Sequence, residues 1–330
     1  MKDLTLAESY AIISLNSLDS LQMITIKRIA LRCVAAAAIL ELYLNEGFTK
    51  LGDKYLLKKN ILDQPITTLY QVEVLKKLFK KQDCLEGTLE WWLRKASKLS
   101  GRELKKIEHA ITDSLRGVDL LEEVPNLLGC DLEYVTATIS MREYRSNKSE
   151  FTKQTEGIRS ELLEDGCITD ESIVMLWLLR ESCCLPEIFS ANELETVLER
   201  FNELYQNNTL AKKLLPITIQ NKMEVIVKGF LLRKKRFSKT LTGIGLNFTF
   251  PIIERTESVF IETEAYFSSA DQRLEDVIKR LKKYQHEVTI LRAGAVPLLK
   301  IDNVLYEAAP TARVYKIPVH GVQLRRYQMY

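Results

Sequence analysis

The most apolar stretch of the chain, residues 29–44, contains four consecutive alanines at residues 35–38. Arg32 and Glu41 interrupt the stretch, and its uninterrupted part, residues 33–40, is far shorter than the roughly 20 residues that a membrane-spanning helix needs. Its apolar side chains cover most sides of a helix, which predicts a helix enclosed by other helices. The alanines would let those neighbours approach closely. The sequence therefore predicts a folded body built around this segment.

Apolar residues at helical spacing recur along the first two hundred residues and predict further helices. The predicted helices lie near residues 4–15, 28–44, 69–80, 85–99, 101–115, 173–185 and 194–205. Ser190 and Glu193 have the spacing of a capping box before the last of these helices. Residues 48–58 alternate around Gly52 and Asp53, which is typical of a small β-hairpin. We therefore predict that residues 1–218 form a helical bundle with one small β-hairpin.

The texture of the sequence changes after Pro216, where glycines and alternating β-branched residues become frequent. One amphipathic helix is predicted at residues 270–285. Strands are predicted near residues 244–250, 259–267, 287–292, 296–301, 304–307, 313–317 and 319–327, with a turn at Asp302 and Asn303. We predict residues 219–330 to be a separate basic α+β module. The expected fold class is thus mainly α, a helical bundle with a small β-hairpin followed by a C-terminal α+β module.

Charge and cysteine content limit the classes of function. Charged residues make up 28% of the chain, but their signs are mixed and the net charge is only +3, so any electrostatic function must come from local clusters. The six cysteines show no C-x-x-C spacing and only three histidines accompany them, so we predict reduced thiols and neither a metal nor a cofactor. Polar residues interrupt the N-terminal region where a signal peptide would be apolar. The expected location is the cytoplasm, with association at the cytoplasmic side of a membrane.

Several short features together carry a family resemblance. They are the opening Leu4-Thr5-Leu6-Ala7-Glu8, the Ala-rich helix ending Ile39-Leu40-Glu41-Leu42-Tyr43-Leu44, the hairpin after Gly47, the Trp92-Leu93 helix and the Gly117-Val118 turn. Over roughly residues 1–215 the chain resembles the Golgi phosphoprotein 3 family in its bacterial branch. This resemblance implies a mostly helical fold, peripheral attachment to anionic membranes, self-association through the hairpin and no catalysis. The self-association residues it implies are Phe48, Leu51, Tyr55, Leu56 and Leu57.

In the eukaryotic members of that family a phosphoinositide head group is held by a tryptophan before the Ala-rich helix, an arginine near its start and two arginines on a later helix. This sequence has no tryptophan in residues 23–30, and Arg32 lies near the position of the first arginine. Lys105 matches one of the later pair, whereas Glu108 falls where the other arginine would be. The resemblance therefore implies binding to anionic surfaces in general, with Arg32 and Lys105 as contacts.

The densest group of charges is the basic cluster Arg233, Lys234, Lys235, Arg236 and Lys239, which follows the apolar residues 229–232. Such a segment can hold an anionic bilayer at about 1 kcal/mol per basic residue while its apolar neighbours insert shallowly. It could equally line a nucleic-acid backbone, or be a solvated loop between domains. Arg325 and Arg326 form a second cationic group at the end of the chain.

Residues that could support catalysis show no recognisable motif. Glu262 and Glu264 share one side of a predicted strand but have no partners at a known spacing, and His286 and His320 have no visible nucleophile. We therefore predict a non-catalytic peripheral membrane adaptor that binds anionic lipid surfaces and a protein partner and forms homo-oligomers. The alternative is a nucleic-acid-binding regulatory protein that uses the basic C-terminal module.

Overall fold

The computed structural model describes residues 3–64, 67–80, 82–131, 141–164, 166–219, 239–240, 243–244, 258–263, 269–314 and 318–327. The described residues form a mixed α+β fold, so the prediction of a mainly α protein, a helical bundle with one hairpin followed by an α+β module, is wrong. A five-stranded antiparallel sheet lies in the C-terminal region, and two smaller sheets lie within residues 1–218. The difference arises because the N-terminal part contains strands that the sequence pattern does not predict.

The helices are α1 Leu6–Ser14, α2 Thr25–Leu44, α3 Leu69–Phe79, α4 Leu89–Ser97, α5 Gly101–Arg116, α6 Lys148–Leu163, α7 Asp170–Ser182, α8 Leu185–Ile188, α9 Ala191–Asn207, α10 Thr209–Leu214 and α11 Ala270–Lys283. The strands are β1 Thr49–Leu51, β2 Lys54–Lys58, β3 Cys84–Gly87, β4 Leu121–Pro125, β5 Arg142–Ser146, β6 Lys239–Thr240, β7 Gly243–Ile244, β8 Ser258–Glu262, β9 Val288–Arg292, β10 Leu298–Ile301, β11 Val304–Val314 and β12 Pro318–Arg326. Short 3₁₀ helices occupy Lys59–Asp63 and Leu127–Cys130.

The Ala-rich segment forms α2, which lies at the centre of the first hydrophobic core. Residues 35–38 are at most 1% exposed, and α2 contacts α1, α3, α4, α5 and α7. The small alanine side chains allow this many helices to pack at close range. The predicted buried central helix is confirmed.

Side-chain caps determine where several helices begin. Thr5, Ser100 and Ser190 each form a capping box with the glutamate three residues later, so that donor groups at both positions are satisfied. The box predicted at Ser190 and Glu193 is thereby confirmed, although its helix already starts at residue 191.

The predicted hairpin at residues 48–58 forms β1 and β2, and β3 extends it to a three-stranded antiparallel sheet. The predicted helix at residues 85–99 is therefore wrong at its start. Leu85 is buried between exposed neighbours, which is the alternation of a strand with one buried side. Thr88 then accepts a hydrogen bond from the backbone N–H of Trp91 and begins α4.

A second small sheet, formed by β4 and β5, has no counterpart in the sequence prediction. Its strands are rich in charged residues, so they lack the apolar alternation by which strands are recognised. Asn147 follows β5 directly and accepts hydrogen bonds from the backbone of Ser149 and Glu150. This cap begins α6, so the polar residues 146–157 are mostly helical.

The C-terminal sheet has the strand order β8-β12-β11-β10-β9 and is antiparallel throughout. Asp302 and Asn303 have φ values of 45° and 71° and form the predicted two-residue turn between β10 and β11. The strand predicted at residues 304–307 and the first two residues of the one predicted at 313–317 belong to one long strand, β11, and residues 315–317 lie outside the described residues. Helix α11 packs on this sheet through the buried Val277 and Leu281.

A second hydrophobic core lies between α11 and the C-terminal sheet. Leu127, Leu128 and Cys130 of the second 3₁₀ helix belong to this core, although they are distant in sequence from its other members. Asp131 also accepts a hydrogen bond from the backbone of Phe260 in β8 at 2.9 Å. The module at residues 219–330 thus shares its core with residues from the N-terminal part. None of the helices in the described ranges has the length and apolar character needed to cross a membrane.

Candidate anionic-surface binding face

Most of the basic cluster singled out from the sequence, Arg233, Lys234, Lys235 and Arg236, lies outside the described residues. Lys239 belongs to β6, and its backbone pairs with that of Ile244. Glu264 also lies outside the described residues, whereas Glu262 is exposed in β8. The cluster therefore stays a prediction from sequence.

The residues predicted for self-association divide between two sides of the β1–β2–β3 sheet. Tyr55 and Leu57 are 8% and 2% exposed and belong to the first core, so they are not available on the surface of this chain. Phe48 is half-buried and its ring lies 5.1 Å from that of Trp92. These three residues hold the sheet against α4.

The opposite side of the sheet faces solvent and carries the other two predicted residues, Leu51 and Leu56. Leu51 is 47% exposed, and the register places Leu51 opposite Lys54. Lys54 forms an ion pair with Glu86 at 2.9 Å, and the bond to this carboxylate raises the pKa of Lys54. Of the five residues predicted for self-association, Leu51 and Leu56 are thus the two on the solvent-facing side of the sheet.

The two cations implied by the family resemblance differ in exposure. Arg32 is half-buried on α2, whereas Lys105 is exposed on α5. Glu108, at the other position of the later pair, is 1% exposed and forms an ion pair with the buried Lys27 at 2.9 Å. Glu108 therefore cannot bind a lipid head group in the way that an exposed arginine would.

Lys105 is one of several exposed cations on the solvent side of α5. Arg102, Lys105, Lys106 and His109 are all exposed and have the spacing i, i+3, i+4 and i+7, which places them on one side of the helix. The spacing of these residues in the sequence could have revealed them, but the family resemblance points only to Lys105.

The cations of α5 continue onto α4 and the end of α3. Lys77 lies 3.8 Å from Glu103 and joins α3 to α5. Hydrogen bonds from Ser100 hold the pKa of Glu103 below its usual range, and the charges of Lys77 and Lys80 add to this effect. Burial lowers the pKa of Lys95, and the nearby charge of Lys80 lowers it further. We call the exposed or half-exposed cations of this surface the basic face: Lys80, Lys95, Lys98, Arg102, Lys105 and Lys106.

The cations of the basic face lack ion-pair partners in the described part of the chain. Within the described ranges, none of its six cations forms an ion pair with a carboxylate, whereas the nearby Lys77 and Arg94 do. Trp91 lies at its edge, is 37% exposed and has the ammonium of Lys95 at 4.3 Å from its ring centroid. A tryptophan beside lysines is the combination that anchors proteins at a bilayer interface.

No family model matches this chain, and no curated protein matches it. The resemblance to the Golgi phosphoprotein 3 family stays an expectation that rests on the residues quoted for it.

Proposed function

We propose that this chain is a non-catalytic peripheral membrane adaptor that binds anionic lipid surfaces through the basic face and through the basic cluster at residues 233–239. The observation that carries the proposal is a set of six exposed or half-exposed cations at the ends of α3 and α4 and on α5, which have no ion-pair partners among the described residues, together with the exposed Trp91 of α4. The outer side of the hairpin, with Leu51 and Leu56, is the proposed contact for a protein partner or a second copy of the chain.

Electrostatics supports lipid binding by the basic face. Each basic residue near an anionic bilayer contributes about 1 kcal/mol, and this contribution does not require a defined pocket. Trp91 can place its ring among the head groups while Lys95 stays at the level of the phosphates. The basic cluster at residues 233–239 would add to the affinity in the same way.

The test is vesicle co-sedimentation with a triple variant, Lys98→Ser, Arg102→Ser and Lys105→Ser. We expect binding to phosphatidylcholine vesicles containing phosphatidylserine to fall at least about tenfold, because three residues contribute about 3 kcal/mol and tenfold corresponds to about 1.4 kcal/mol. Binding of the unaltered chain should also weaken steeply with added salt. A second variant replaces Arg233, Lys234, Lys235 and Arg236 with serine. Its loss of vesicle binding measures how much the basic cluster contributes to the affinity.

The matched control removes three exposed lysines of α11, Lys279, Lys282 and Lys283, which lie outside the basic face. This variant has the same change in net charge and should bind anionic vesicles like the parent chain. Equal binding to vesicles of phosphatidylcholine alone, or full binding by both test variants, would contradict the proposal. A salt-dependent shift of a DNA probe without vesicle binding would favour the nucleic-acid alternative.

A further inference from the structure

A buried polar cluster lies where the C-terminal sheet meets β5. Glu143 belongs to β5, His286 follows α11, and Asp302 lies in the turn between β10 and β11. Their exposed fractions are 2%, 3% and 4%, and one potential ligand atom from each residue lies within 4.8 Å of the other two. Glu143 lies more than 140 positions before the other two residues in the sequence. The fold thus brings an imidazole and two carboxylates together.

Hydrogen bonds fix the orientation of the imidazole. Asp302 Oδ1 accepts bonds from the backbone N–H of Glu287 at 2.9 Å and from the guanidinium of Arg145 at 3.1 Å. Asp302 Oδ2 lies 2.5 Å from Nδ1 of His286. A carboxylate beside a guanidinium is an acceptor, so Nδ1 of His286 carries the proton. In the neutral imidazole, Nε2 of His286 then presents its lone pair.

Two atoms of the cluster have no hydrogen-bond partner in the described part of the chain. They are Nε2 of His286 and Oε2 of Glu143. Buried polar atoms nearly always have a partner, so such a pair calls for an explanation. Both atoms thus lie where a bound cation would supply the missing partner.

We infer that Glu143 and Nε2 of His286 bind one divalent transition-metal ion, with Asp302 as the carboxylate that orients the imidazole. A metal-binding histidine usually donates its second ring N–H to a carboxylate, which is the arrangement of His286 and Asp302. Imidazole and carboxylate donors together suit Zn²⁺, and an ion of charge +2 would satisfy both atoms that lack partners.

A cavity lies next to the cluster. It has a volume of about 820 Å³, and its lining includes Arg145, Ser146 and Glu287. Arg145 contacts Asp302, and Glu287 is adjacent to His286, so neighbours of the cluster residues, and not the cluster residues themselves, line the cavity. The bound ion would link β5 to the residues that flank the C-terminal sheet. It would therefore stabilise the contact between the two parts of the chain.

The test measures Zn²⁺ binding by the full chain after removal of metal with a chelator. Because Cys84, Cys167 and Cys183 are exposed and could bind Zn²⁺ themselves, the parent for this experiment carries serine at all three positions. We expect calorimetry to show one Zn²⁺ per chain and the melting temperature to rise with Zn²⁺. Co²⁺ should give a visible spectrum without the near-ultraviolet band of thiolate ligation.

Two substitutions remove one proposed ligand each. Glu143→Gln removes the charge at nearly constant shape, and His286→Asn keeps an N–H for Asp302 while deleting Nε2. Each variant should weaken Zn²⁺ binding at least tenfold. Glu41→Gln is the matched control, because Glu41 is a buried glutamate whose two oxygens have protein partners, and it should bind Zn²⁺ like the parent.

Failure of the parent chain to bind Zn²⁺ would overturn the inference, and so would unchanged binding by Glu143→Gln. If His286→Asn does not fold, Glu143→Gln and the Co²⁺ spectrum of the parent still decide the question. Vesicle binding by the basic face is independent of this result.

Discussion

Replacement of Lys27 by methionine is expected to lower the free energy of unfolding by about 3–5 kcal/mol, because it leaves a buried carboxylate without its cation. Lys27 on α2 and Glu108 on α5 are 1% exposed, and their charged atoms are 2.9 Å apart. Tyr144 of β5 donates a hydrogen bond to the same Glu108 oxygen at 2.8 Å. Burial and the charge of Glu108 raise the pKa of Tyr144 above its usual range, so its hydroxyl stays a donor.

Urea denaturation followed by tryptophan fluorescence measures this effect, since Trp92 and Trp177 lie in the first core with Lys27's helix. The control is the double variant Lys27→Met with Glu108→Gln, which removes both charges and keeps an oxygen for Tyr144. Because no charge is then buried alone, it should regain about 2 kcal/mol or more over the single variant. A loss below about 1 kcal/mol in Lys27→Met would show that the pair contributes little.

Replacement of Trp92 by alanine is the second change with a large expected effect, a loss of about 3–5 kcal/mol. Trp92 is fully buried, and its indole N–H donates to the backbone carbonyl of Tyr55 in β2 at 3.0 Å. Its ring also contacts those of Phe48 and Trp91 at 5.1 Å. The substitution would create a cavity and remove the bond that holds the β1–β2–β3 sheet to α4.

Thermal and urea denaturation followed by circular dichroism would measure the loss without depending on the deleted fluorophore. The neighbouring residue provides the control, because Trp91 is 37% exposed and Trp91→Ala should cost less than about 1 kcal/mol. The intermediate variant Trp92→Phe keeps most of the volume. It should lower the free energy of unfolding by about 1–3 kcal/mol, because the carbonyl of Tyr55 loses its donor. Equal losses for the two alanine variants would mean that burial does not set the cost.

Elements with strong local signals could be predicted from the sequence. The buried α2 follows from its continuous apolar surface, the start of α9 from Ser190 and Glu193, and the β10–β11 turn from Asp302 and Asn303. In each case residues close in sequence determine the local conformation. Such signals do not depend on what the rest of the chain does.

The strands β3, β4 and β5 could not be predicted in the same way. Residues 84–87 become a strand because β2 offers them a partner, and the alternation of four residues is too short to compete with the helix that follows. Strands β4 and β5 lack an apolar alternation because charged residues occupy many of their positions, namely Glu122, Glu123, Arg142 and Arg145. Tertiary pairing decided these elements, and the fold class was mispredicted as a result.

The candidate sites show the same limit. Lys105 was identified through a resemblance, while its neighbours Arg102 and Lys106 needed only helical spacing to be recognised. The cluster of Glu143, His286 and Asp302 has no motif, because its members meet only after the C-terminal sheet is in place. No spacing rule can reveal a site that three distant segments build together.

The shared second core has a consequence for the order in which this protein can fold during its synthesis. Leu127 and Leu128 leave the ribosome long before β8 and α11, which contact their 3₁₀ helix, and Asp131 must wait for a partner 129 residues downstream. Contacts of such long range form late and slowly. Until β8 and α11 are translated, the nascent chain carries an uncovered apolar segment, so chaperone capture and aggregation of truncated chains should concentrate there.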